Sequence, residues 1–357
     1  MTTAQPRESM RGLPHALQPY LTWVTGVPLA GERPLIPWTP ARAGALGVAQ
    51  IALGIAVGAF ALRPFSLWSL PLLPVSWFIT TGGMRRLDVV IIHQSLHGMV
   101  AKTALGNRRV GELLTTLLWR APYDENRKEH LLHHAYPCSM KDIDTRYLLG
   151  TGARPGMSRS EFGRFLVRLL VSPKHHWGFF SSRIRSNFAR RQPPYRLAMS
   201  VAYLALTVAV LALTGLWTEW LVLWFVPVTV GFQNATALYT LSEHRWWLHA
   251  QAEKLSPQQR DELTFGRFCG EPAPCGRGGA TWLKWWLRMI FVHSPYRMSV
   301  LVGDTVQHDL HHVRPKCDWA NSPYERSTDV GAGSKRYSDV WGSIVDHLYA
   351  ANDVRVG

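Results

Sequence analysis

Charged residues are missing from four long stretches of this sequence, and that absence argues against an ordinary soluble protein. The stretches are residues 43–62, 65–84, 197–217 and 220–241. Each is close to the ~20 residues that a helix needs to cross a bilayer. Only Arg63 and Pro64 separate the first pair, and only Thr218 and Glu219 the second. The sequence therefore predicts two helical hairpins, each with two membrane spans.

Cysteine and acidic residues are also scarce. The four cysteines include no C-x-x-C pair, which indicates free thiols rather than a disulfide framework. Lys and Arg number 39 against 24 Asp and Glu, so the formal net charge is +15. Basic residues cluster at the outer ends of the predicted spans, which marks the cytoplasmic side. Contact with anionic lipids explains this charge better than nucleic acid does, and we expect no nucleic-acid partner.

Histidine, by contrast, is concentrated in three motifs, HQSLH at 93–97, HLLHH at 130–134 and HDLHH at 308–312. Positions i, i+3 and i+4 share one face of a helix, so each motif aims its imidazoles in one direction. Imidazole is a ligand for iron, copper and zinc. One such motif arises readily by chance, but three in a chain with 15 His favour a metal site.

His244 is the ninth candidate ligand, because it follows the fourth apolar stretch as His93 follows the second. Nine imidazoles are too many for one ion and suit two. Zinc usually takes four ligands and has no redox role, so the number favours a redox pair, most simply iron. Carboxylates near the motifs should orient the rings. The candidates are Glu129, Asp142, Asp144, Glu243, Asp304 and Asp309.

These motifs, arranged around two predicted hairpins, resemble the membrane-bound fatty acid desaturase and hydroxylase superfamily over residues 43–318. The resemblance implies a non-haem di-iron centre that uses O2 and two external electrons on an unactivated C–H bond. Carried over by position, the iron ligands are His93, His97, His130, His133, His134, His244, His308, His311 and His312. Some members have Asn four residues before the lone His, where this chain has Thr240.

The expected architecture is an all-α integral membrane protein forming a single domain, residues 1–357. An irregular segment, 1–42, precedes the first hairpin. Residues 85–196 and 242–357 should be cytoplasmic and form a helical cap that carries the di-iron site. Both termini should be cytoplasmic as well.

The leading functional prediction is desaturation of a fatty acyl or other lipid-like alkyl chain, presented as a membrane lipid or an acyl thioester. The sequence shows no fused electron carrier, so a separate donor such as a ferredoxin is expected. Hydroxylation by the same centre is the nearest alternative. A metal transporter or a zinc-bearing membrane scaffold is more remote, because transporters place ionisable residues within the bilayer and these stretches have none.

Overall fold

A computed structural model describes residues 5–63, 66–190, 192–249 and 252–355. Its backbone contacts divide the chain into two compact units. Residues 40–132 and 163–237 form the first, here called the apolar unit. The chain up to Thr39, residues 133–162 and the chain from Leu238 onward form the second, here called the terminal unit. The prediction of a single domain stays a prediction.

The apolar unit is built from helices. Its segments are Pro40–Leu62, Leu67–Ser69, Leu72–Arg86, Leu87–Ile92, His93–Leu96, Ala104–Leu117, Pro173–Phe188, Pro194–Thr214, Trp217–Trp220, Leu221–Phe225 and Pro227–Gly231. Three further helices, Tyr123–Ala135, Arg159–Val171 and Phe232–Leu241, run across the sequence boundaries between the units.

Among the described residues, three helices are long and apolar enough to cross a membrane. They are Pro40–Leu62, Pro194–Thr214 and Trp217–Leu241. These match three of the four predicted spans. The remaining one, 65–84, begins with a residue outside the described chain, and its helix starts only at Leu72, after Pro71. Its status as a span stays a prediction, as do the hairpins and the cytoplasmic cap.

Glycines allow the helices Pro40–Leu62 and Leu72–Arg86 to pack closely. A methyl group on Gly54 would lie 2.7 Å from the backbone nitrogen of Thr80, and one on Gly83 would lie 2.6 Å from the carbonyl oxygen of Gly47. The Ser76 hydroxyl donates to the Gly54 carbonyl at 2.7 Å. Small residues and such hydrogen bonds are what hold helices together in lipid, where the hydrophobic effect contributes little.

The helix Leu72–Arg86 continues without a break into the first histidine motif. A π-helical segment, Leu87–Ile92, is followed by the short α-helix His93–Leu96. The sequence predicts continuation to Ala104, but the helix ends at Leu96, shortly before Gly98 with its φ of 79°. A π-helical turn changes which face the following residues present, and such turns occur often at functional sites.

The terminal unit is also mainly helical. Its segments are Pro6–Ser9, His15–Leu17, Gln18–Thr25, Ile143–Thr151, Ala252–Lys254, Pro257–Leu263, Gly279–Arg288, Met289–His293, Ser294–Ser299, Gly303–Gln307, His308–Val313, Trp319–Asn321, Ser322–Gly331 and Ile344–Asn352. Two strands, Gly266–Cys269 and Asp339–Gly342, pair in parallel, with Gly266 opposite Asp339. This pair is a departure from the all-α expectation.

The N-terminal segment, expected to be irregular, contains short helices. Proline occupies the first turn of Pro6–Ser9 and of Gln18–Thr25, where its missing N–H costs nothing, so these prolines start helices rather than prevent them. Leu21 and Val24 are buried in a cluster with Trp285 and Met289. Apolar burial therefore orders part of the segment that was expected to be irregular.

The close contact at Gly54 predicts the effect of adding a single methyl group. We expect Gly54→Ala to lower the melting temperature of the protein in detergent, because overpacking typically costs about 1–3 kcal/mol. Gly44→Ala on the same helix is the matched control, since its methyl would meet only Ile91, at 3.9 Å. Replacing glycine by alanine in an open helix position should be neutral or stabilising. Equal melting temperatures for the two variants would contradict this packing.

Candidate metal centre

Four imidazoles converge within the terminal unit, and we refer to them as the four-histidine cluster. His133 lies near the end of the helix Tyr123–Ala135, His244 follows the helix Phe232–Leu241, and His308 and His312 share the helix His308–Val313. One ring nitrogen from each lies within 4.8 Å of the others. The Nε2 atom of His244 is 3.1 Å from that of His133 and 3.3 Å from that of His308.

Local structure explains why these rings meet. His308 and His312 are four residues apart and therefore share one helix face. His244 lies in a turn that is tied down on both sides. The indole of Trp246 donates to the Thr240 carbonyl at 3.1 Å, and the backbone N–H of Arg245 donates to the Leu263 carbonyl at 2.8 Å. His244 is completely buried as a result.

The donor set of the four-histidine cluster fits a metal ion. Burial, reinforced by neighbouring imidazoles, lowers the pKa of His244, His308 and His312 well below the usual value for histidine. These rings are therefore neutral and keep the lone pair that metal binding needs. The Nε2 atom of His312 is buried without a hydrogen-bond partner in the described chain. Nitrogens held at about 2.1 Å by one ion lie about 3 Å apart when their bonds are perpendicular, which agrees with the observed spacings.

Asp142 orients His133. Its carboxylate lies 3.1 Å from Nδ1 of His133 and also accepts the backbone N–H of Asp144 at 2.9 Å and the hydroxyl of Thr145 at 2.9 Å. Burial alone would lower the pKa of His133, but the charge of Asp142 raises it to about 10. With Nδ1–H directed at the carboxylate, Nε2 is the nitrogen that faces His244, and metal binding there releases a proton.

The other carboxylates near the motifs differ in what they contact. An oxygen of Glu243 lies 3.3 Å from Nε2 of His308. Asp309 instead pairs with Arg326 at 2.6 Å, and Arg326 also reaches Asp339 at 2.7 Å. Asp309 thus ties the helix of the third motif to the strand Asp339–Gly342. Sequence reasoning missed Arg326, because nothing near a histidine motif points to it.

Three more of the predicted ligands meet within the apolar unit, where His93, His97 and His130 form the three-histidine cluster. The Nε2 atom of His130 lies 3.1 Å from that of His93 and 2.6 Å from that of His97. The Nδ1 atom of His93 is 3.2 Å from the Val89 carbonyl, which can only accept, so Nδ1–H is the donor and Nε2 is the nitrogen that faces His130. Burial, with help from Arg127, lowers the pKa of His97 to about 4.

The last two predicted ligands, His134 and His311, form a pair in the terminal unit with their Nε2 atoms 3.0 Å apart. Every predicted ligand therefore has at least one other predicted ligand beside it within its own unit. The assignment of these groups to two irons stays a prediction. His347, which has no motif around it, is buried and contacts the Tyr296 hydroxyl and the carbonyls of Phe268 and Val340, which are the contacts of a structural histidine.

Comparison with known protein families identifies a match. The model of the family described as fatty acid desaturase matches residues 66–270. The matched region contains HQSLH, HLLHH and His244, and the third motif lies beyond its end. No curated protein matches the chain.

The contact between Asp142 and His133 predicts a loss of metal affinity when the carboxylate is replaced. Asp142→Asn keeps a side-chain oxygen for the helix Ile143–Thr151 but removes the charge that orients His133. We expect iron affinity, measured by chelator competition on the purified protein, to fall about 10–100-fold. Asp353→Asn, at an exposed position, is the control and should bind iron as the unaltered protein does. Unchanged affinity in Asp142→Asn would show that the contact does not serve the metal.

Proposed function

The chain belongs to the fatty acid desaturase family, and we propose that it desaturates an acyl or other lipid-like alkyl chain in an O2-dependent reaction. The observation that carries this proposal is the four-histidine cluster, in which four ring nitrogens meet and three of the rings are buried, in a chain of that family. Imidazole nitrogens suit a redox-active iron, and the nine predicted imidazoles exceed the four ligands that a structural zinc takes.

We propose that the nine predicted imidazoles hold two iron ions. When bound, a pair of non-haem irons supplies O2 activation and hydrogen abstraction from an unactivated C–H bond. The contribution of the chain is to hold the rings in orientation and, by burial, to keep His244, His308 and His312 neutral. Asp142 and the Val89 carbonyl fix His133 and His93 through Nδ1, so that Nε2 of each ring is available to metal.

Burial of the four-histidine cluster also supports an oxidative reaction. His244 is fully buried, and His133, His308 and Asp142 are buried too. A centre shielded in this way limits the access of water and the loss of reactive species to side reactions. We propose that the two electrons arrive from a separate carrier such as a ferredoxin.

The substrate class follows from the apolar helices. Three helices with the length and composition of membrane spans accompany the histidine clusters, which favours a substrate that resides in lipid. We propose that the chain is a multi-pass membrane protein with its metal centre and both termini on the cytoplasmic side. The basic residues Arg42, Arg190 and Arg196, near the ends of the predicted spans, support that orientation.

Product analysis tests the proposed reaction. Cells that express the protein should gain acyl chains lighter by two hydrogen atoms and containing no added oxygen, as measured by mass spectrometry of total lipids. His133→Ala should reduce this product to background while the protein still inserts in the membrane, because the variant loses one nitrogen of the four-histidine cluster.

His15→Ala is the control for that experiment. His15 is exposed and lies outside the histidine clusters, so its loss should leave product formation unchanged. Products that gain oxygen would identify the chain as a hydroxylase using the same centre. Full activity in His133→Ala would remove His133 from the ligands and with it the basis of the proposal.

A further inference from the structure

An apolar stripe lies on the surface of the terminal unit, away from the residues of the candidate metal centre. It follows the i, i+4, i+7, i+8 spacing of one helix face and runs along the consecutive segments Gly279–Arg288 and Met289–His293. Its members are 46–70% exposed and are Leu283, Leu287, Ile290 and Phe291. A contiguous exposed apolar face marks a surface that contacts another molecule or a membrane.

The opposite face of the same helix holds it in the terminal unit. Trp285 and Met289 are buried in a cluster with Leu21 and Val24. The Trp285 indole also donates to the Glu271 carbonyl at 3.0 Å. Turning the helix to hide the stripe would therefore expose this buried pair instead, so the stripe stays on the surface.

The side chains that border the stripe are those of a helix at a membrane surface. By helical spacing, Lys284 and Arg288 lie along one edge of the stripe and the half-buried Trp282 and Trp286 along the other. Arg288 pairs with Glu271 at 2.6 Å, and Lys284 is exposed. The sequence of the helix contains no Asp or Glu. Basic side chains attract anionic head groups, and indoles favour the head-group layer.

Covalent connections bring a bilayer to the terminal unit. Its chain enters the candidate span Pro40–Leu62 directly after Thr39, and the candidate span Trp217–Leu241 ends within it. Because the end of a span lies at the bilayer surface, the terminal unit is tied to that surface at two points. Trp38, two residues before Pro40, is also exposed. Lipid is therefore the partner that the chain itself supplies to an apolar stripe on this unit.

The stripe is too short to cross the membrane. Residues 283–292 cover about 15 Å of helix axis, half of the ~30 Å hydrocarbon thickness, and include Lys284 and Arg288. Beyond them, His293 and Tyr296 are buried in the protein. A helix of this kind buries its apolar face while its axis stays parallel to the bilayer surface.

We propose that this helix lies flat in the head-group layer of the membrane, with the apolar stripe inserted at the boundary of the acyl chains and Lys284 directed to anionic head groups. The proposal rests on the membrane location proposed above. The contact keeps the unit that carries the four-histidine cluster at the lipid surface, where the proposed substrate resides.

Nitroxide labels on the full-length protein in bilayers of phosphatidylcholine and phosphatidylglycerol test this arrangement. Leu283→Cys and Ile290→Cys carry the label, each in a background of Cys138→Ser and Cys275→Ser, because the other two native cysteines are buried. Collision rates with lipid-soluble O2 and with a water-soluble nickel chelate give the depth of each label. We expect both labels about 5–10 Å below the head groups. Two helical turns separate the positions, so a flat helix gives them equal depths.

Two further labels calibrate the measurement. Leu206→Cys, 65% exposed on the helix Pro194–Thr214, should lie near the bilayer centre, about 15 Å deep. Lys335→Cys, at an exposed position in a polar loop, should meet the nickel chelate freely. A deep label at Leu206 together with stripe labels in water overturns this proposal and leaves the membrane location intact. A label at Leu206 in water overturns both.

Two other results also contradict the proposal. Stripe labels that are shielded from O2 and nickel alike, and that broaden each other's spectra between molecules, would show that a second copy of the chain covers the stripe. Depths at Leu283 and Ile290 that differ by about 10 Å would show an upright helix rather than a flat one. Because these measurements need no iron and no turnover, they do not depend on the proposed reaction.

Discussion

Keeping several imidazoles neutral while their Nε2 atoms meet in a buried space is the constraint on which the candidate metal centre depends. Protonated rings at 3.1–3.3 Å would repel one another and could not bind metal. Burial removes the proton from His244, His308 and His312. At His133 the arrangement is different, because the Asp142 carboxylate takes the Nδ1–H and thereby determines which nitrogen faces the cluster. Apolar surroundings thus keep three rings neutral, whereas one acid orients the fourth ring and leaves on it a proton that metal binding must displace.

The imidazoles of the site could be predicted from sequence because helical spacing alone decides which of them share a face. His308 and His312 follow this rule directly, and His244 followed from its position after an apolar stretch. It was harder to predict which acids orient the rings, because adjacency in sequence says little about the direction in which a side chain points. Asp309 neighbours His308 but points about 100° around the helix, where it meets Arg326 instead. Asp142 reaches His133 through the turn between two helices, which no periodic pattern reveals.

The secondary structure also divides into elements that the local sequence predicts and elements that depend on contacts between distant residues. Long uncharged stretches predicted helices such as Pro40–Leu62 and Pro194–Thr214, because their composition is itself the physical cause of a helix in lipid. The π-helical segment Leu87–Ile92 was not predictable, since it keeps a helical pattern while changing its period. The parallel strands Gly266–Cys269 and Asp339–Gly342 are too short and too far apart in sequence to give a signal of their own. Only tertiary packing brings them together.

The basic composition, which the sequence attributes to contact with lipid, has a second use inside the protein. A guanidinium keeps its charge when buried and offers five N–H donors in a fixed plane, so each buried arginine joins several segments at once. Arg196 connects its own helix to Glu112 and Asn187, and Arg326 connects Asp309 to Asp339. Such a joint is stable only when the acceptors are complete, because an unpaired buried charge is costly. A buried arginine whose terminal nitrogens find acceptors, as those of Arg196 and Arg326 do, is therefore part of the framework.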